Sequence, residues 1–138
     1  MSHKYIRLTL LASLLTLLSA CKESMDDRIQ RELDHFTQTQ CPKPIDQYTV
    51  MDSACYRPDS RTIEYHYTVH GDLDNDTIYS TDLADVFRQQ LYENITTSIQ
   101  LKPYKDYACS FHYFYRSQIT GKLRLEYNFT PQDYNKEN

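Results

Sequence analysis

A single small α+β domain, with two antiparallel β-hairpins packed on two helices in the order helix-β-β-helix-β-β, is the fold this sequence predicts. Two stretches carry apolar residues at helical spacing, and each is followed by a pair of stretches in which apolar and polar residues alternate. The composition agrees, because 13 tyrosines, no tryptophan and only 2 glycines suit strands with amphipathic aromatic faces.

The first helix is expected from about Ser24 to Thr37. Met25, Ile29, Leu33 and Phe36 share one face, and Ser24 with Asp27 three residues later makes a capping-box-like start. Cys41-Pro42-Lys43-Pro44 ends the pattern, since proline also restricts the residue before it. A weakly patterned strand follows over 47–57, then a turn at Pro58-Asp59-Ser60. The next strand alternates cleanly: Ile63, Tyr65, Tyr67 and Val69 are expected inside, Glu64, His66, Thr68 and His70 outside.

Ser80 or Thr81 starts the second helix, with Asp82 well placed in its first turn. Its apolar stripe is Leu83, Phe87, Leu91, Ile95 and Ile99, widened by Val86, and Pro103 marks its latest end. The second hairpin has Cys109, Phe111, Tyr113 and Tyr115 on one face, turns at Thr120-Gly121, and returns with Leu123, Leu125, Tyr127 and Phe129. After Pro131 the polar tail is expected to fray.

The N-terminus concerns address rather than fold. Lys4 and Arg7 accompany an apolar run from Leu8 to Leu18, too short to span a bilayer and patterned as a secretory signal peptide. It ends in Leu18-Ser19-Ala20-Cys21, which resembles the lipobox of bacterial lipoproteins. In that family the cysteine is lipidated on sulfur and becomes the new N-terminus. The resemblance implies a leader over 1–20, a single domain over 21–138 and a membrane anchor on Cys21. Several acyl chains anchor a protein stably where one holds it only marginally. Lys22 stands where enteric-type lipoproteins retained at the inner membrane carry aspartate, so the resemblance points to the outer membrane.

The domain itself resembles a scattered group of small bacterial envelope proteins of uncharacterised function. The resemblance lies in Cys41-Pro42 with Ile45-Asp46, the segment Thr62 to Tyr67, and Phe111-His112-Tyr113 with Thr120-Gly121-Lys122. These are mostly apolar and turn residues, so a shared fold is implied and no activity.

Charge excludes one class of partner. The net charge is −4, the leader removes Lys4 and Arg7, and no basic stripe exists to neutralise phosphates, so nucleic acid is not expected. No nucleophile elbow, phosphate loop or paired-histidine helix occurs, and no cofactor is expected. With Cys21 lipidated, an oxidising envelope would join two of Cys41, Cys55 and Cys109 in a disulfide, the pairing left open. Cysteine and histidine spacing matches no zinc motif, so no metal is expected.

Asp72, Asp74 and Asp76 have the spacing that opens a calcium loop. Thr77 then stands where glycine is needed and Leu83 where a bidentate glutamate belongs, so a solvated acidic turn is the reading. Glu64, His66 and His112, on the polar strand faces with Glu126, form a candidate interaction surface. They would make a metal or proton site if the hairpins lay side by side; the plainer alternative is a hydrated face of mixed charge. Ser110 beside His112 lacks the further base and orienting group that a nucleophile needs.

Two functional classes remain. One is a non-catalytic lipoprotein that binds or supports another envelope protein, of inhibitor, immunity or secretion-accessory type. The other is a small ligand-binding or hydrolytic envelope domain with a tyrosine-lined pocket between helix and sheet. A concave tyrosine-lined cavity with convergent polar groups favours the second; a filled core with a flat exposed patch favours the first.

Overall fold

Hydrophobic periodicity and capping place most elements where the sequence puts them. The computed structural model describes residues 23–79 and 81–135. The expected leader over 1–20 with the Leu18–Cys21 motif, the alternative helix start at Ser80 and the last three residues lie outside the described residues.

Helix α1 runs Met25–Gln40, and the Ser24 hydroxyl caps it by accepting the Asp27 amide. It buries Ile29 and Leu33. Strand β1 is the two-residue Lys43–Pro44, formed inside the expected breaker, and β2 is Thr49–Arg57. A bulge between Met51 and Ser53 interrupts β2, which is why its alternation is weak: Thr49 faces inward before it, Ala54 and Tyr56 after it. Strand β3 is Thr62–Val69. Helix α2 covers Thr81–Thr97, followed by the short α3 at Lys102–Asp106. Strands β4, Ser110–Ser117, and β5, Leu123–Phe129, complete a five-stranded sheet in the order β1-β2-β3-β4-β5.

Both hairpins are antiparallel, and they meet along a parallel ladder between β3 and β4, so the sheet is mixed. The α2–α3 segment is the crossover that a parallel pair requires. Inward residues of the sheet, among them Tyr56, Ile63, Phe111 and Phe129, join Ile29 and Ile95 in one core on the helical side. The α+β class with two hairpins and helices to one side is therefore the fold observed.

Three local expectations are corrected. Ile99 is not part of the α2 stripe: the helix ends at Thr97 and Ile99 is 85 % exposed. Leu123 is exposed too, because the β4–β5 register shifts between Tyr115 and Arg116 and turns Arg124 inward in its place. The segment after Thr130 is not frayed but forms α4, Pro131–Tyr134. A capping box between Thr130 and Asp133 starts it, and buried Tyr134 donates its hydroxyl to the Cys109 carbonyl at 2.7 Å. No helix among the described residues is long and apolar enough to cross a membrane.

Candidate functional site

On the helical side the core is not closed over the middle of the sheet. A half-open groove of about 770 Å³ lies between α1 and α2, roofed at one end by the β1 segment and at the other by α3. Its floor is a tyrosine ladder produced by the parallel register, which sets Tyr65 opposite Tyr113 and Tyr67 opposite Tyr115. These rings stack at 5.1 and 4.7 Å between centroids, and Phe87 meets Tyr115 edge-on at 5.8 Å. Leu33 and Phe36 from α1, with Leu91 from α2, form the apolar walls. Glu32, Lys43, Asp46, Gln90 and Asn94 give the rim its polar groups.

The rim is held in place. Tyr104 of α3 donates to Glu32 at 3.1 Å, and Arg28 donates to the other oxygen of the same carboxylate at 2.8 Å. The Arg28 hydrogen bond holds the Glu32 carboxyl below the usual range, and burial with the adjacent Glu32 charge pushes the Tyr104 phenol up to about 12. Burial likewise pushes Tyr65, Tyr67, Tyr113 and Tyr115 well above the ordinary phenol value. They stay protonated, offering ring faces and hydroxyl donors rather than bases. Among the described residues, none that lines the groove is a histidine, serine or cysteine.

The opposite face of the sheet carries the residues expected to interact. His66 and His112 both lie there, on either side of Phe114: the His66 ring stacks on it at 5.0 Å, and the His112 ring meets it tilted at 4.0 Å. His112 pairs with Glu126 at 2.8 Å. His66 sits instead with Glu64 and Cys55, a neighbour the sequence reading did not give it. Register explains the encounter, since Cys55 lies directly opposite Glu64 across the β2–β3 hairpin and His66 is two residues along the same face. Burial lifts the Glu64 carboxyl, but hydrogen bonds from Arg57 and Cys55 outweigh it and leave it below the usual range.

Of the three cysteine pairings left open, the fold sets Cys55 and Cys109 apart. Cys41, Cys55 and Cys109 are free thiols in the structure. Cys109 points into the core with no exposure, whereas Cys55 lies on the outer face among polar groups, so the sheet itself separates them. Burial pushes the Cys109 thiol up to about 11.

The acidic loop is internally committed. Asp74 is buried and pairs with Arg124 at 2.9 Å, and it also accepts the Ile119 amide at 3.0 Å. Arg124 reaches Asp76 as well, while Asp72 accepts from Tyr48 at 3.3 Å. Asp74 and Asp76 therefore share the Arg124 guanidinium, and Asp72 turns to Tyr48 instead of joining them on a cation. The groove is the tyrosine-lined pocket between helix and sheet of the alternative reading, though which tyrosines pair across its floor was not given by the sequence. Its signal was present in the tyrosine alternation of β3 and β4, but their parallel register decides that the rings line up.

The family described as Domain of unknown function (DUF8479) matches residues 24–125. The chain belongs to that family. No curated protein matches it. Among solved structures, it is similar to a Pseudomonas aeruginosa protein classed as secreted, at a TM-score of 0.63 and 13% identity, covering 82% of this chain and 99% of that one. It is also similar to the type II secretion system pilotin AspS of Vibrio cholerae, at a TM-score of 0.50 and 15% identity, covering 77% of this chain and 95% of the other. At these identities the likeness is one of fold.

Proposed function

We propose that this protein is a lipid-anchored, non-catalytic accessory protein of the bacterial envelope that holds a segment of another envelope protein in its tyrosine-floored groove. The groove is the observation that carries the reading. It is open along one side, apolar at its floor and walls and polar at its rim, which suits an amphipathic helix laid lengthwise. Tyrosine supplies large contact area at low entropic cost and keeps a hydroxyl for the partner. The lipobox-like Leu18–Cys21 supports the anchor and, with Lys22, the outer membrane. Of the inhibitor, immunity and secretion-accessory types, the last is favoured by the shared fold with a secretion pilotin. The partner surface moves accordingly from the outer sheet face to the groove.

A photo-crosslinking amino acid at Leu91, in cells, should form one discrete adduct with an outer-membrane or periplasmic protein, and one at Glu126 should not. Labelled palmitate should enter the wild-type chain and be lost in Cys21→Ser. Adducts from Glu126 alone, or no label in the wild type, overturn the corresponding half of the proposal.

A second reading, the ligand-binding domain marked by a concave tyrosine-lined cavity, is favoured by the groove itself and by its size of about 770 Å³, which falls among small-molecule pockets of about 300–1,000 Å³. Ligand binding there would raise the melting temperature by mass action, at about 2.7 kcal/mol for a ligand at a hundred times its Kd. A hydrolytic version has no nucleophile–base pair among the residues lining the groove.

A further inference from the structure

The outer sheet face holds a cluster that the groove does not use. The Cys55 sulfur lies 3.4 Å from Glu64 Oε2 and 3.9 Å from His66 Nε2, and those two atoms are 3.5 Å apart. Three different donor atoms thus form a nearly equilateral triangle. In a tetrahedral zinc site, metal–ligand lengths of about 2.0–2.3 Å place neighbouring donors about 3.3–3.6 Å apart. Two of the observed separations already match, and only the sulfur–nitrogen edge must contract slightly.

We propose that Cys55, Glu64 and His66 form a three-ligand zinc site with its fourth position open to solvent. The donor set selects the ion. Calcium and magnesium require oxygen ligands throughout, and copper(I) prefers soft sulfur and imidazole over carboxylate, whereas zinc accepts thiolate, imidazole and carboxylate together. Thiolate and carboxylate neutralise the dication, and the thiol proton leaves to water as the sulfur–metal bond forms. His66 and Glu64 side chains are 29% and 17% exposed, so an ion can reach them and a water can complete the shell.

The surroundings support the first shell. Phe114 lies parallel to the His66 ring, 5° between planes, and fixes its orientation. Arg57 donates to Glu64 Oε2 at 3.1 Å, and its exposed side chain can shift to the other carboxylate oxygen when metal takes this one. A cysteine–histidine nucleophile is the chemical rival, and the geometry opposes it. There the carboxylate orients the imidazole from the nitrogen facing away from the nucleophile, whereas here Glu64 and Cys55 both face Nε2.

Cobalt(II) titration of the full chain in detergent tests the site, because cobalt reports thiolate ligation directly. The expected result is one equivalent bound, with a thiolate-to-cobalt charge-transfer band and intense visible bands of tetrahedral type, both abolished by excess zinc. Zinc should also protect Cys55, but not Cys41, from alkylation. Cys55→Ser should remove the charge-transfer band, His66→Gln and Glu64→Gln should each weaken binding at least tenfold, and Cys41→Ser should change nothing. Circular dichroism melts identify any variant that fails to fold, and the remaining two ligand variants then carry the test. Absence of the band in wild type, its survival in Cys55→Ser, or weak octahedral spectra overturns the proposal.

Discussion

The Thr37 hydroxyl accepts the Ala54 amide at 2.9 Å and donates to the Ala54 carbonyl at 2.7 Å. One side chain of α1 thus stands in for a neighbouring strand, at a point on β2 beyond the reach of the two-residue β1. The pair satisfies edge groups that would otherwise be left without partners under the helix. Thr37→Val keeps the shape and removes both bonds, so it should cost about 1–3 kcal/mol in urea unfolding. Thr37→Ser should recover most of the loss; an unaffected valine variant would show that water serves Ala54 equally well.

Asp74 predicts a signature in acid. Hydrogen bonds from Ser117, the Ile119 amide and Arg124 outweigh burial and pull its carboxyl down to about 2. Because the folded value lies below the unfolded one of about 3.9, its stabilisation is complete above that pH and fades as pH falls toward the folded value. Asp74→Asn should therefore lower the urea midpoint most at neutral pH, with the gap to wild type closing at about pH 2. A gap independent of pH would refute the account. Millimolar calcium should leave the melting temperature unchanged, since Arg124 already occupies this carboxylate.

Aromatic truncations should separate core from groove. Phe111 is fully enclosed and meets Tyr134 edge-on at 5.7 Å, so Phe111→Ala should cost about 3–5 kcal/mol through the cavity it leaves. Tyr67 is nearly as buried but borders the groove, where water can replace part of the ring. Tyr67→Ala should cost less, about 2–3 kcal/mol by the same cavity argument. Denaturant unfolding of both decides it, and equal losses would mean that the groove floor behaves as closed core.

Thiol chemistry should follow position. In the native, metal-free protein, iodoacetamide should modify Cys41 and Cys55, while Cys109, with no exposure and its thiol raised to about 11, should react only on unfolding. Mass spectrometry after alkylation reads this directly. A disulfide between any two of the three would contradict the structure.

Residues whose signals are local were legible in the sequence. Ser24 capping, the Ile63 to Val69 alternation and the Pro58 turn each depend on a few neighbours, and each appears as expected. Thr130 with Asp133 is also a capping box legible in the sequence, set in a segment whose polar composition resembles a frayed tail. The candidate sites were harder because they depend on pairing. Tyr67 meets Tyr115 only in the parallel register, and nothing within either strand specifies that partner. Cys55 opposite Glu64 follows from the Pro58 turn once the pairing is counted back, but the turn length had to be known first.

The parallel ladder also bears on how the molecule assembles. Thr62 pairs with Ser110, and each later rung keeps that long sequence offset, whereas both hairpins close through short turns. Loop-closure entropy makes such distant pairing the slow event, so the hairpins should mature first and dock afterwards. Pulsed hydrogen exchange during refolding would show amides of the hairpin ladders protected ahead of those between β3 and β4. Until docking, Tyr65 and Tyr67 on one half and Tyr113 and Tyr115 on the other are separate sticky faces. The tyrosine ladder is thus completed at the last step of folding, and a molecule arrested before that step lacks the surface on which the proposed partner binding depends.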